Sequence, residues 1–216
     1  MNGNYLRFAL AWLVSVGVGC SSAPVRYYTL TPPLDKTVAA SETTLAIDVR
    51  IVHSPAQLNR SELMVRTGPT EVTLLDNERW ASPLNDEIKD ALRLELKRRI
   101  GRLAGLHPGF ARLTLNIDVQ HLEAELGRYA LLEASWSATL SSTGQRSTGA
   151  RATTCTFQAD EKIYAGYAGL VEGYQREIAA LAEAIVAVLA SPASGIDAPC
   201  QKSIPALVGG SGSEDH

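Results

Sequence analysis

Three segments in the second half of the chain alternate apolar and polar residues with period two, and they follow one another almost without interruption. In RLTLNIDVQ, Leu113, Leu115, Ile117 and Val119 fall on one side and Thr114, Asn116, Asp118 and Gln120 on the other. In YALLEASWSATLSS, Leu132, Ala134, Trp136, Ala138 and Leu140 share a face, and GARATTCTFQ supplies a third strand. Alternation of this kind describes strands with one buried face. The links between them, LGRY and STGQRSTG, are turn-like. Short links can join only antiparallel neighbours, so the spacing predicts a meander.

A sheet with one apolar face needs a cover, and two segments of a different period provide it. Leu84, Ile88, Leu92, Leu96 and Ile100 form an i, i+4 stripe; Leu170, Tyr174, Ile178, Leu181, Ile185 and Leu189 form another, with Pro192 closing the second segment. Ser82 suits an N-cap and Pro83 a first helical position. Asp86 and Glu87 lie at the positive end of the first helix dipole. Lys97, Arg98 and Arg99 lie at its negative end and read as a solvated last turn rather than a phosphate patch. Upstream, Leu45, Ile47, Val49 and Ile51 alternate as a further strand, and ELMVRT and EVTLLD flank Gly68-Pro69 as a hairpin. The expected fold is α/β or α+β: a mixed, largely antiparallel sheet with two long amphipathic helices packed on it.

The ends of the chain carry a different message. Residues 1–19 have one basic residue, Arg7, then an apolar run from Phe8 to Val18 that stops at Cys20. That run is too short to span a bilayer. It has the form of a secretory signal, with small residues Gly17 and Gly19 before the cut. LVSVGVGCSS resembles a bacterial lipobox, with Gly17 where Leu is usual. By that resemblance the chain is cleaved before Cys20, which takes an acyl and diacylglyceryl lipid, and Ser21 favours outer-membrane sorting. Multiple acyl chains would anchor a chain stably without a transmembrane helix. The Ser-, Thr-, Ala- and Pro-rich stretch 20–42 reads as a lipid-anchored tether, 43–191 as one globular domain, and 192–216 as an irregular tail.

Net charge is −3 over 216 residues. This gives no basic footprint for nucleic acid. With Cys20 lipidated, Cys155 and Cys200 remain, an even pair in an oxidising compartment. A crosslink over that loop would contribute about 4 kcal/mol in the chain-entropy picture; the alternative is two separate thiols. No G-x-S-x-G elbow, Walker A motif or G-x-G-x-x-G turn is present. His53, His107, His121 and His216 have no partner at metal-ligand spacing. His121, Glu123 and Glu125 share one strand face, as solvated polar residues do. The sequence therefore reads as non-enzymatic, with no metal and no cofactor beyond the lipid on Cys20.

Several short motifs occur in order: Tyr27, Tyr28 and Leu30 soon after the anchor; Leu58, Asn59, Arg60, Leu63, Val65 and Arg66; then Trp80, Ala81, Pro83 and Leu84 opening a helix. In order and spacing they resemble the PqiC-like family of ABC-type transport auxiliary lipoproteins over nearly the whole mature chain. Asn59, Ser61 and Glu62 depart from the family pattern. The resemblance implies a non-catalytic component of an envelope lipid-transport system. Such a component would sit on the periplasmic face of the outer membrane and dock an MCE-domain protein, with a homo-oligomer capping the partner as one arrangement. Candidate partner contacts are Tyr27, Tyr28, Arg60, Arg66 and Trp80, since exposed aromatic and Arg side chains suit interface hot spots. A scaffold or regulator of cell-wall enzymes is the alternative class.

Overall fold

The computed structural model describes residues 23–33, 45–100, 110–142, 151–190 and 200. Cys20, the signal segment, most of the tether and the tail beyond Cys200 lie outside the described residues.

The strands are β1 (Arg26–Tyr28), β2 (Ala46–His53), β3 (Glu62–Arg66), β4 (Val72–Trp80), β5 (Phe110–Glu125), β6 (Tyr129–Ser142) and β7 (Arg151–Lys162). The helices are α1 (Leu84–Ile100) and α2 (Tyr167–Ala190), with a 3-10 turn at Ala56–Leu58. The strands divide between two sheets rather than filling one. The larger has the order β2-β5-β6-β7, the smaller β1-β4-β3. The meander β5-β6-β7 is antiparallel, β3-β4 is an antiparallel hairpin, and β2 and β1 join as parallel edge strands. The architecture is α+β. Parallel pairing of β1 with β4 is invisible to periodicity, because a three-residue strand has no period to read.

The larger sheet buries the face the alternation marks. Leu113, Leu115, Ile117, Val119, Trp136 and Leu140 are sealed in the core beneath the helices. The phase then slips: a bulge between Val119 and His121 moves burial from odd to even residues, so Leu122 and Ala124 turn inward. Both helix stripes are buried along their length. Gly173 lets α2 lie close to the sheet, since a Cβ there would collide with Ile163 and crowd Ala130 at 3.2 Å. Gly127, at φ 74°, makes the β5-β6 turn in the left-handed region.

The stretch read as tether is partly structural. Residues 26–28 pair with β4, and Leu30 is buried in the core. The fold therefore starts about six residues after Cys20 rather than at residue 43. The reason is the apolar Leu30 and the hydrogen-bonding side chains around it, which outweigh the polar composition of the segment.

Candidate partner-binding surface

Three buried or half-buried glutamates organise the region between the smaller sheet and the helices. Glu78, near the end of β4, accepts from the Arg26 Nε at 2.9 Å, from the Arg26 Nη2, and from the Tyr28 hydroxyl at 2.7 Å. Alternation on β1 puts residues 26 and 28 on one side, so both reach the same carboxylate. The Arg26 guanidinium beside Glu78 holds its carboxyl below the usual range, and the bond from Tyr28 adds to this.

Glu87 lies in the first turn of α1 and is buried. Its Oε2 accepts from the Thr29 hydroxyl and the Leu30 amide, each at 2.8 Å. Its Oε1 accepts from the Ser82 hydroxyl at 2.9 Å and the Ser82 amide at 3.1 Å. The helix start is thus held by a glutamate reaching back, as in a capping box. Ser82 donates to that glutamate instead of accepting from the helix as a simple N-cap.

Glu123, on β5, accepts from Arg66 Nε at 2.9 Å and from the Tyr129 hydroxyl at 2.6 Å; His121 Nε2 lies 3.2 Å away. The Arg66 hydrogen bonds hold its carboxyl at about 2, against the opposing pull of partial burial. This cluster ties the β3-β4 hairpin to the larger sheet. The hairpin side of Arg66 is fixed too, through the carbonyls of Gly68 at 3.3 Å and Pro69 at 3.2 Å. Beside it opens a cleft of about 350 Å³, with Leu58, Met64, Val72 and Leu122 as its apolar lining and Arg66, His121 and Glu123 at its polar side.

A fourth glutamate is unlike the others. Glu177 faces the sheet from the middle of α2 and is fully buried, and neither carboxyl oxygen has a hydrogen-bond partner at normal geometry, the Leu132 amide making only a strained approach. Burial pushes its pKa up to about 9, and the nearby Glu161 and Asp160 push the same way. The Leu132 amide and Arg176 oppose this only weakly. Glu177 is a neutral carboxylic acid at pH 7.

The expected contact residues separate on this scaffold. Trp80 is not a surface anchor: it is 3 % exposed, packed with Tyr174 at 6.3 Å between ring centroids. Its indole closes the core where β4 leads into α1. Tyr28 is half-buried on Glu78, and Arg66 is engaged by Glu123. Tyr27 is 66 % exposed and Arg60 is exposed beside the start of α1, whose Leu84 amide bonds the Arg60 carbonyl at 3.3 Å. A disulfide joins Cys155 on β7 to Cys200, with Cα atoms 5.0 Å apart. Glu78, Glu87 and Glu177 carry no signal in a single sequence that separates them from surface glutamates. The Arg66–Glu123 pair spans 57 positions, beyond any local pattern.

Among the described residues no three His, Cys, Asp or Glu side chains converge as a metal site. No described helix is long and apolar enough to cross a membrane.

Residues 28–186 match the family model of the ABC-type transport auxiliary lipoprotein component. The chain belongs to that family. It is 26% identical over 134 residues to the intermembrane transport lipoprotein PqiC of Escherichia coli (strain K12), covering 58% of this chain and 72% of the relative. The PqiC of Shigella flexneri matches with the same figures. Among solved structures, an uncharacterised protein superposes with a TM-score of 0.56 at 21% identity, over 76% of this chain and 98% of that one. That likeness establishes the shared fold. The family range begins at Tyr28 and takes in Arg60, Arg66 and Trp80, while Cys20 and Tyr27 precede it.

Proposed function

We propose that this protein is a non-catalytic lipoprotein, anchored through Cys20 on the periplasmic face of the outer membrane, that docks an MCE-domain protein of an envelope lipid-transport system. The observation that carries this reading is the family match over 28–186, which includes β2 to β7, all of α1 and most of α2. The lipobox-like LVSVGVGC, a few residues before β1, supports the anchor. The described residues form an ion-paired body whose hairpin is tied to the larger sheet through Arg66 and Glu123, which suits a docking role. Tyr27 and Arg60 are the exposed members of the candidate contact set and the ones we assign to the partner. An assembly of several copies around the partner fits the same reading.

Affinity capture of the natively expressed full chain tests the docking role. Recovery of an MCE-domain protein, weakened by Tyr27→Ala with Arg60→Ala, is expected. Recovery of a cell-wall synthase without an MCE protein would contradict it.

A further inference from the structure

Among the described residues, the exposed large hydrophobic side chains are Val25, Tyr27, Val72, Leu74 and Tyr164. They are far apart in sequence, yet the topology gathers them at one end of the molecule. β1 runs parallel to β4 with Arg26 opposite Glu78. β4 is irregular between Leu75 and Arg79, where four of its steps match the single β3 step from Glu62 to Leu63. Counted along β3, Val72, opposite Arg66, lies about 10 Å past Arg26, toward the side from which the chain arrives, and Leu74 lies between them. Tyr164 belongs to the same end. Its loop leads into α2, whose Tyr167 ring sits under the Arg26 guanidinium at 5.7 Å. Following the chain the other way, Gln175 bonds the Thr29 carbonyl and Arg98, in the last turn of α1, bonds the Pro33 carbonyl. Residues 26–33 therefore lead from this end to the opposite one.

Two lengths then bear on how this end can sit. Six Cα steps separate Cys20 from Arg26, a reach of at most about 22 Å when fully extended. The last pair of the β3-β4 hairpin, Arg66 with Val72, overhangs Arg26 by about 10 Å in the same direction, and the turn at Gly68-Pro69 lies beyond it. A body held by a lipid on Cys20 is kept with Arg26 within about 22 Å of the bilayer, and its hairpin tip nearer still. The exposed chemistry suits that position. Met64 and Leu74 are cross-strand partners, as are Arg66 and Val72, so these side chains share the hairpin's open face while Leu63 and Val65 fill the core on the other. Tyr164 is 77 % exposed, with the exposed Arg128 close by in the turn whose Gly127 lies against Ala165. Tyrosine and arginine beside aliphatic side chains fit the boundary between headgroups and acyl chains, where an apolar body and a polar tip are both satisfied.

We propose that this end of the body, made by the β3-β4 hairpin, the start of β1 and the loop before α2, lies against the lipid headgroup layer of the membrane that holds Cys20, with Val72, Leu74 and Tyr164 entering the interface. The inference rests on the lipoprotein reading above. It adds an orientation: the first turns of α2 face the membrane, and the last turn of α1 faces the periplasm.

The test uses the full, natively processed chain in phosphatidylethanolamine and phosphatidylglycerol vesicles, with or without lipid brominated at the upper acyl carbons. Tryptophan is placed singly by Leu74→Trp, Tyr164→Trp and, at the far end, Lys97→Trp; the native Trp80 and Trp136 are buried and give a constant background. Brominated lipid is expected to quench roughly half of the emission added at 74 and 164 and almost none at 97, as for side chains at interface depth. Acylated, vesicle-bound protein whose emission at 74 and 164 is quenched no more than at 97 would overturn the orientation and leave the lipoprotein reading intact. The same holds if those positions are shielded from aqueous iodide but untouched by bromine, which would mean that protein covers them. Protein that carries no acyl mass and does not float with vesicles would overturn both.

Discussion

The start of α1 and the middle of α2 each bury a glutamate, and the two could hardly be treated more differently. Glu87 receives four hydrogen bonds from Thr29, Leu30 and Ser82, and through them fastens the segment after β1 to the helix. Glu177 receives none at normal geometry and is neutral because burial and acidic neighbours forbid its charge. A buried acceptor with all its donors in place organises structure; one without them costs stability in proportion to pH. Burial alone does not say what a polar side chain contributes, since its partners decide the sign.

The largest expected effect breaks the first half of that contrast. Glu87→Ala strands four donors, and at about 1 kcal/mol each it should lower stability by about 4 kcal/mol. Urea unfolding would read this, and hydrogen exchange would show the Leu30 amide losing protection. A loss under about 1 kcal/mol would mean the clamp is ornamental.

Glu177→Gln should act in the opposite direction. The unfolded carboxyl releases its proton near the ordinary value of about 4.3, whereas the folded one keeps it until about 9. Between those values the native state binds the extra proton, so wild-type stability falls as pH rises. Removing the titration should add roughly 3 kcal/mol at pH 7 and more at pH 8.5, with the gain shrinking toward pH 5. A gap between variant and wild type that stays constant with pH would contradict a protonated Glu177.

Glu123→Gln gives a smaller loss with the reverse dependence. Its folded pKa of about 2 is depressed, so its contribution is complete above the unfolded value and vanishes as pH falls toward 2. Solvent reaches the Arg66 side of the pair, so the loss at neutral pH should be about 1–2 kcal/mol. Acid titration of variant and wild type should show the two curves converging below pH 4. The smallest effect is expected of Arg26→Ala, whose guanidinium is mostly exposed. It should leave thermal stability nearly unchanged while raising the Glu78 pKa, measurable by carboxyl carbon NMR.

What could be read from the sequence follows from what makes a periodic signal. The β5-β6-β7 meander and both helices repeat their pattern over enough residues for one face to declare itself. The bulge at Val119–His121 breaks the repeat by one residue, and alternation read through it would have placed Leu122 outward. The division into two sheets and the parallel docking of β1 depend on long-range pairing, which no local window contains. Among the site residues, Trp80 illustrates the limit most clearly. An aromatic before a helix reads equally as an interface anchor or a core plug, and only its contact with Tyr174, ninety-four positions away, decides for the core. Tyr27 and Tyr28 are neighbours in sequence, yet strand alternation sends one to solvent and the other to Glu78.

The most direct test is intact mass with membrane fractionation of the natively expressed full chain, beside Cys20→Ala. The expected result is a native chain that starts at Cys20, carries acyl mass and floats with outer membrane, and a variant released from it. A native chain without lipid, cut elsewhere or uncut and recovered away from the membrane, would contradict the anchor on which docking and orientation both depend.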